Sequence, residues 1–143
     1  MKDAGATVYL VTALVLVCTG CGADGMSTVP VNGKITFNGG PCPAEGTIAF
    51  SPVSVEEGLP RRPGTAEFKQ DGEFHATSFR PGDGLLPGTY RVLISCWTGE
   101  PSNNDPSSYE RLNCVPRDYK PEEIIVERSA EDVEIVINVP PKK

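Results

Sequence analysis

Five cysteines and one histidine are the side chains of this 143-residue sequence with the clearest chemical potential. Cys18 and Cys21 stand three apart at the end of the apolar stretch "VLVCTGC", a spacing shared by metal-binding and redox pairs. A zinc site needs a second pair of ligands, and a thioredoxin-like motif lies at a strand–helix junction of a soluble domain. Neither context surrounds these two cysteines, so we interpret them as part of an export signal.

Residues 4–17 carry no charge and are shorter than the roughly 20 residues of a membrane-spanning helix, which is typical of a secretory signal. The following "CTGC" resembles the bacterial lipobox, with Gly20 as the small residue before the cut and Cys21 as the lipidated residue. The resemblance implies a lipoprotein signal peptide over 1–20 and a lipidated N-terminus with a tether over 21–28. A plain signal peptide cut at another small residue is the alternative.

Lipidation of Cys21 predicts an exported protein held at the cell envelope, because two or more acyl chains anchor a protein stably in a bilayer. Gly22, rather than Asp, follows this cysteine. By the sorting rule known for enterobacterial lipoproteins, that favours the outer membrane over the inner one. The segment 22–28, "GADGMST", is small and polar, as expected of a flexible tether.

The remaining chemistry-bearing residues do not form a recognisable catalytic set. A Ser-His-Asp hydrolase or a copper site would need His75, which alternation in "EFHAT" points towards solvent. A calcium site at Asp83 would need six or more oxygens, and a turn role is favoured for "GDG". The net charge of −6, with scattered charges, argues against nucleic-acid binding. We therefore expect no enzyme, no cofactor and no metal site.

The segment 98–121 is the least regular part of the sequence. Cys96 and Cys114 flank it, and a disulfide between them would stabilise the fold by about 3 kcal/mol. Pairing of either with Cys42, or three reduced thiols, are the alternatives. Trp97, Tyr109 and Tyr119 are candidate ligand-binding residues here, but for Trp97 and Tyr119 coverage of the core edge is the favoured interpretation.

The elements that must position these residues are strands, because apolar residues alternate with polar ones from residue 29 onward. A turn at Asp71-Gly72 predicts a hairpin over 65–77, and Tyr90 is expected to be a corner tyrosine whose hydroxyl caps a loop. About seven strands predict an all-β fold, an antiparallel two-sheet β-sandwich over 29–141. The predicted strand segments are 29–37, 46–53, 65–77 (two strands), 88–97, 122–128 and 131–139.

Three stretches of the sequence resemble the transthyretin-like, carboxypeptidase regulatory-like domains of small lipoproteins from planctomycete-type bacteria. They are "VNGKITFNGGPCPAEGTIAFSPV", "DGEFHATSFRPGDGLLPGTYRVLIS" and "VPRDYKPEEIIVERSAEDVEIVINV". The resemblance implies a seven-stranded sandwich that usually lacks catalytic residues. The Cys96 and Cys114 pair is a departure from the family pattern.

These inferences predict a non-catalytic, lipid-anchored β-sandwich module of the cell envelope with a structural or interaction role. The alternative is a carbohydrate- or peptide-binding module that uses the 97–121 loop. The expected partners are the membrane, through the lipid anchor, and an envelope protein or a glycan.

Overall fold

The computed structural model describes residues 26–143, which form seven strands and one short helix. The predicted signal peptide 1–20 and the predicted lipidated Cys21 lie outside the described residues, as do residues 22–25 of the predicted tether. The elements are β1 (Val31–Phe37), β2 (Gly46–Val55), β3 (Gly64–Phe68), β4 (Glu73–His75), β5 (Gly88–Cys96), α1 (Ser107–Leu112), β6 (Ile124–Val126) and β7 (Val133–Val139).

The strands form two sheets, in the orders β4-β1-β7 and β3-β2-β5-β6, which confirms the all-β prediction. Four of the five strand pairings are antiparallel among the described residues. The exception is the pairing of β1 with β7, which is parallel from Val31–Val133 to Phe37–Val139. The first and last strands therefore begin at the same end of the molecule, a feature that the antiparallel prediction missed.

One hydrophobic core receives side chains from both sheets. Two aromatic contacts each join residues from different sheets: Phe37 with Phe68, at 6.5 Å between ring centroids, and Phe50 with Phe74, at 6.3 Å. Alternation along the strands sends these rings inward, because successive side chains of a strand point to opposite faces. The largest fully buried side chains are Tyr90, Phe50, Phe68, Phe74, Ile35, Ile48, Leu85 and Leu86.

The hairpin predicted over 65–77 pairs only at its open end, where Thr65 and Thr77 exchange backbone hydrogen bonds at 2.9 and 2.7 Å, while β3 and β4 belong to different sheets. Gly72 has a φ of +77° as the turn chemistry requires, but its carbonyl accepts a hydrogen bond from Ile35 N–H of β1 at 2.9 Å. A Cβ at Gly72 would overlap the Ile35 carbonyl, so the turn lies directly against β1. The turn thus carries the chain across to the other sheet.

Strand direction divides the loops between two ends of the molecule. The near end is where the chain enters at Val29, and it carries the connections 56–63, 76–87 and 127–132. The far end carries the connections 38–45, 69–72 and 97–123, together with residues 140–143. The strand β5 runs from the near end to the far end over nine residues, a distance of about 27 Å.

The predicted roles of Tyr90 and of the "GDG" sequence are confirmed. The hydroxyl of buried Tyr90 donates a hydrogen bond to the Leu86 carbonyl at 2.9 Å and so holds the connection before β5. Gly82 and Gly84 both have positive φ, and a Cβ at Gly84 would overlap the Val29 carbonyl. The chain therefore turns here and passes directly beside the residue at which it enters the fold.

Candidate functional site

The three aromatic residues singled out from the sequence line one depression at the far end. Trp97, Tyr109 and Tyr119 surround a volume of about 1340 Å³ between the end of β5, helix α1, the connection 113–121 and residues 140–143. We call this depression the far-end groove. The sequence-based selection of these three residues thus identified side chains that the fold brings together.

Trp97 and Tyr109 form the aromatic wall of the groove. Their rings meet edge to face, with centroids 6.2 Å apart and planes at 89°. Trp97 Nε1 donates to Ser95 Oγ at 2.8 Å, and the Tyr109 hydroxyl donates to Asn103 Oδ1 at 2.8 Å. Because the Trp97 Nε1–H and the Tyr109 hydroxyl both donate hydrogen bonds within the chain, a ligand would contact mainly the faces and edges of the two rings. Tyr109 remains 44% exposed.

Tyr109 lies on the short helix α1, which positions it at the groove and which was not predicted from the sequence. Asp105 accepts hydrogen bonds from Ser107 N–H at 3.2 Å and from Ser107 Oγ at 2.6 Å, and it pairs with Arg111 at 3.2 Å. The Ser107 hydrogen bond and the Arg111 guanidinium lower the pKa of the Asp105 carboxyl. Buried Ser108 accepts from Ser102 N–H at 2.8 Å. The sequence signal was Asp-Pro-Ser-Ser, a typical helix start.

Tyr119 has a different role at the opposite side of the groove. Its half-buried ring packs against the core, and its hydroxyl donates to the Asn138 carbonyl of β7 at 3.1 Å. Burial raises the pKa of this hydroxyl. Tyr119 therefore joins the 113–121 connection to β7 and covers the core edge, as the favoured interpretation of this residue predicted.

The wall of β5 contributes exposed side chains and a strand edge. Leu93 is 55% exposed, and Arg91 lies 3.8 Å from Glu123. The strand β6 pairs with β5 only over Gly88–Tyr90, and Cys114 N–H reaches Cys96 O at 2.8 Å. Between these two contacts, Val92 and Ile94 line the groove with no backbone partner on that side among residues 26–143. Strand alternation directs their N–H and C=O groups into the groove, as it does at Tyr90 and Cys96.

The charges around the groove are mixed, with more cations than carboxylates, in a chain of net charge −6. Lys142 Nζ donates to the Glu110 carbonyl, which ties the C-terminal segment to helix α1. The cationic lining residues are Arg91, Arg117, Lys120, Lys142 and Lys143, and the acidic ones are Glu110, Asp118 and Glu123. This surplus distinguishes the groove from the chain as a whole.

The three cysteines of the described region are free thiols, and none of them lines the groove. Burial raises the pKa of the Cys96 thiol to about 12, and a hydrogen bond with the Cys114 side chain acts in the same direction. Burial, followed by the Asp71 carboxylate, raises the pKa of the Cys42 thiol. Cys114 is the most exposed of the three. Pairing of Cys96 with Cys114 stays a prediction.

The other chemistry-bearing residues lie away from the groove. His75 is exposed on β4, as predicted, with Nδ1 2.6 Å from Asn32 Oδ1. Within residues 26–143, no group of three or more His, Cys, Asp or Glu side chains is arranged to hold a metal ion. The same part of the chain contains no helix that is long and apolar enough to cross a membrane.

Comparisons with protein-family models, with curated proteins and with solved structures find no match to this chain.

Proposed function

We propose that this protein is a non-catalytic, lipid-anchored β-sandwich module of the cell envelope, related to the transthyretin-like domains that its sequence resembles. We further propose that it binds a partner in the far-end groove. The face-to-face packing of the two sheets is supported by the phenylalanine pairs that join them. The observation that carries the binding role is the convergence of Trp97, Tyr109 and the edge of β5 on one depression.

An extended peptide from an envelope protein is the ligand class that fits this groove best. The unpaired backbone at half-buried Ile94 offers main-chain hydrogen bonds of the kind that an added strand makes, whereas Val92 is only 2% exposed. The edge-to-face contact of Trp97 with Tyr109 leaves no flat two-ring platform, which makes a glycan the second candidate. The cationic surplus of the lining favours acidic side chains in the peptide.

The binding proposal is tested by probing arrays of ten-residue peptides and of cell-wall glycans with the full chain. We expect binding to acidic peptides and a loss of at least tenfold in affinity for Trp97→Ala and Tyr109→Ala, because each removes buried contact area. Phe79→Ala, an equally exposed aromatic at the near end, is the matched control and should bind normally. N-methylation of alternate peptide residues should abolish binding, and a groove that binds only glycans would refute the peptide assignment.

The anchor is tested by metabolic labelling with palmitate in a bacterial host. We expect the wild-type chain and Cys18→Ala to carry the label and Cys21→Ala to lack it. The Cys18 variant is the matched control, because it alters the same region without removing the predicted acylation site. Label retained on Cys21→Ala would overturn the lipidation assignment.

A further inference from the structure

A second exposed surface lies at the near end, on the turn that follows β4. Phe79 projects from this turn with 42% of its surface exposed, and Arg80 beside it is exposed as well. The Asp83 carboxylate accepts hydrogen bonds from the backbone N–H groups of Ser78 at 2.8 Å, Phe79 at 3.1 Å and Arg80 at 3.0 Å. Because both carboxylate oxygens are engaged, the turn holds Phe79 and Arg80 in a fixed position.

Arg62, from the connection between β2 and β3, reaches this turn, and its neighbour Arg61 is held against β2. The Arg62 guanidinium lies 4.4 Å from the centroid of the Phe79 ring, and Arg62 Nε donates to the Ser78 carbonyl at 2.6 Å. Arg61 donates to the carbonyls of Pro52 at 3.0 Å and Val53 at 2.7 Å. The result is an exposed aromatic ring with the Arg62 guanidinium on its face, and with Arg61 and Arg80 nearby in the sequence. We call Arg61, Arg62, Phe79 and Arg80 the arginine–aromatic surface.

The acidic groups of the near end lie mostly on its other side. The connection 127–132 between β6 and β7 carries Glu127, Glu131 and Asp132, and Arg128 of that connection pairs with Glu56 at 2.6 Å. Asp83 is engaged by backbone N–H groups, so Glu57 is the carboxylate left beside the arginines. The near end is therefore basic towards β3 and β4 and acidic towards β6 and β7.

The arginine–aromatic surface lies where the chain enters the fold. Val29 exchanges backbone hydrogen bonds with Leu85, at 2.8 and 3.0 Å, and the turn 77–84 ends immediately before Leu85. Seven residues, 22–28, separate Cys21 from Val29. Eight residue-to-residue steps join Cys21 to Val29, and fully extended they span at most about 29 Å. An acyl group on Cys21 would therefore hold Val29, at the end of the molecule that carries this surface, within about 29 Å of the bilayer.

We propose that the arginine–aromatic surface rests on the anionic lipid headgroups of the membrane that holds the anchor, a step that depends on the proposed lipidation of Cys21. Aromatic rings are favoured at the headgroup level, and each arginine near an anionic surface shifts binding by about fivefold. The acidic side of the near end is repelled by the same surface, so the molecule tilts with β3 and β4 towards the bilayer. The far-end groove then faces away from the membrane.

The test uses the full chain, processed in a bacterial host and reconstituted by its own lipid into vesicles with brominated acyl chains. Trp97 is the only tryptophan, so the double variant Phe79→Trp, Trp97→Phe moves the fluorophore from the far end to the near end. We expect bromine to quench tryptophan fluorescence in the double variant but not in the wild type. Trp97 of the wild type follows the far end of β5, a strand about 27 Å long that starts at the near end. Quenching should increase when phosphatidylglycerol is added to phosphatidylcholine.

Arg80→Gln in the double variant separates the charge effect from the geometry of the tether. We expect it to lower the ratio of membrane-facing to free orientations by about fivefold on anionic vesicles and to leave it unchanged on neutral ones. Two results would overturn the membrane-facing surface and leave the anchor standing. One is quenching of wild-type Trp97 that equals or exceeds the quenching in the double variant. The other is quenching that changes neither with phosphatidylglycerol nor with Arg80→Gln. Failure of the chain to associate with vesicles overturns the anchor and the surface together. A soluble partner protein on this surface predicts no quenching in protein-free vesicles, which also overturns the proposal.

Discussion

At the scale of single residues, buried polar atoms are held by specific local hydrogen bonds. Tyr90 and Tyr119 make the same contact, a hydroxyl donating to a backbone carbonyl, but in different surroundings. The Tyr90 hydroxyl reaches Leu86 inside the core, where water cannot replace it. The Tyr119 hydroxyl reaches Asn138 at an exposed position. The two tyrosines therefore form an internal comparison of one interaction at two degrees of burial.

Replacing Tyr90 with Phe should lower the free energy of unfolding by about 1–3 kcal/mol, because the Leu86 carbonyl loses its donor in a buried position. Tyr119→Phe should cost less, about 0.5–1 kcal/mol, since water can hydrate the Asn138 carbonyl. Urea unfolding of both variants measures the difference. If the two variants lose the same free energy of unfolding, burial does not determine how much this hydrogen bond contributes to stability.

The raised pKa of Cys96 predicts a loss of stability at alkaline pH. The thiol has an ordinary pKa of 9.0 in the unfolded chain and a pKa of about 12 in the folded protein. Between these values the unfolded state releases a proton that the folded state keeps, so the free energy of unfolding falls as pH rises from about 9 to about 12. Below pH 9 this contribution is complete and constant.

Cys96→Ala removes this titration, so the variant should show a shallower fall in the free energy of unfolding across the same range. Urea unfolding under reducing conditions at several pH values checks it, with the wild type at pH 7 as the reference. Identical slopes for the wild type and Cys96→Ala would contradict the assignment of the titration to this thiol.

At the scale of elements, the end of β5 and the connection after α1 are joined at Cys96 and Cys114. Residues opposite each other in an antiparallel pair have Cα atoms about 5.5 Å apart, within the roughly 4.4–6.8 Å that a disulfide spans. The Cys114 N–H to Cys96 O hydrogen bond, 2.8 Å, places these two residues opposite each other. The backbone at this position is thus compatible with a cross-link.

We predict that oxidised glutathione converts Cys96 and Cys114 to a disulfide. The more exposed Cys114 sulfur attacks first, forms a mixed disulfide and releases one glutathione; Cys96 then displaces the second. The high pKa of Cys96 slows this second step, so the mixed disulfide of Cys114 with glutathione should appear before the cross-link. Its lifetime should shorten as pH rises, because more of the Cys96 thiol is then ionised. Peptide mass spectrometry follows both species, with Cys42→Ala as the control.

The oxidised protein should be more stable than the reduced one by about 3 kcal/mol, because the cross-link restricts the unfolded chain between residues 96 and 114. Urea unfolding of the two forms measures this difference. A disulfide from Cys42 to either of the other cysteines would contradict the predicted pairing.

Alternation of side chains made the strands and their buried faces predictable, since burial within β5 and β7 follows directly from the period of two. The sheet to which a strand belongs was not predictable in the same way. Asp71-Gly72 has the letters of a hairpin turn, but contacts of Gly72 with Ile35, distant in sequence, send β4 to the other sheet. Helix α1 was missed because its six residues are too few to show the repeating apolar pattern by which an amphipathic helix is recognised.

At the scale of the whole molecule, the two ends carry different surfaces. The aromatic residues predicted from sequence could be selected by type, but only the fold places Trp97, Tyr109 and Tyr119 around one groove. The arginine–aromatic surface had no sequence signal, because Arg62 and Phe79 are separated by a strand, a turn and another strand. Opposed ends fit the proposed arrangement, in which one end faces the membrane and the other meets a partner.

The parallel pairing of β1 with β7 has a mechanical consequence. A pull applied through the residues before β1 and the residues after β7 acts on the start of β1 and on the end of β7, at opposite ends of their shared ladder. The seven paired positions are then loaded in shear and share the force together, whereas strands pulled from the same end separate one hydrogen bond at a time. The pair formed by the first and last described strands is thus arranged to resist tension along its own length.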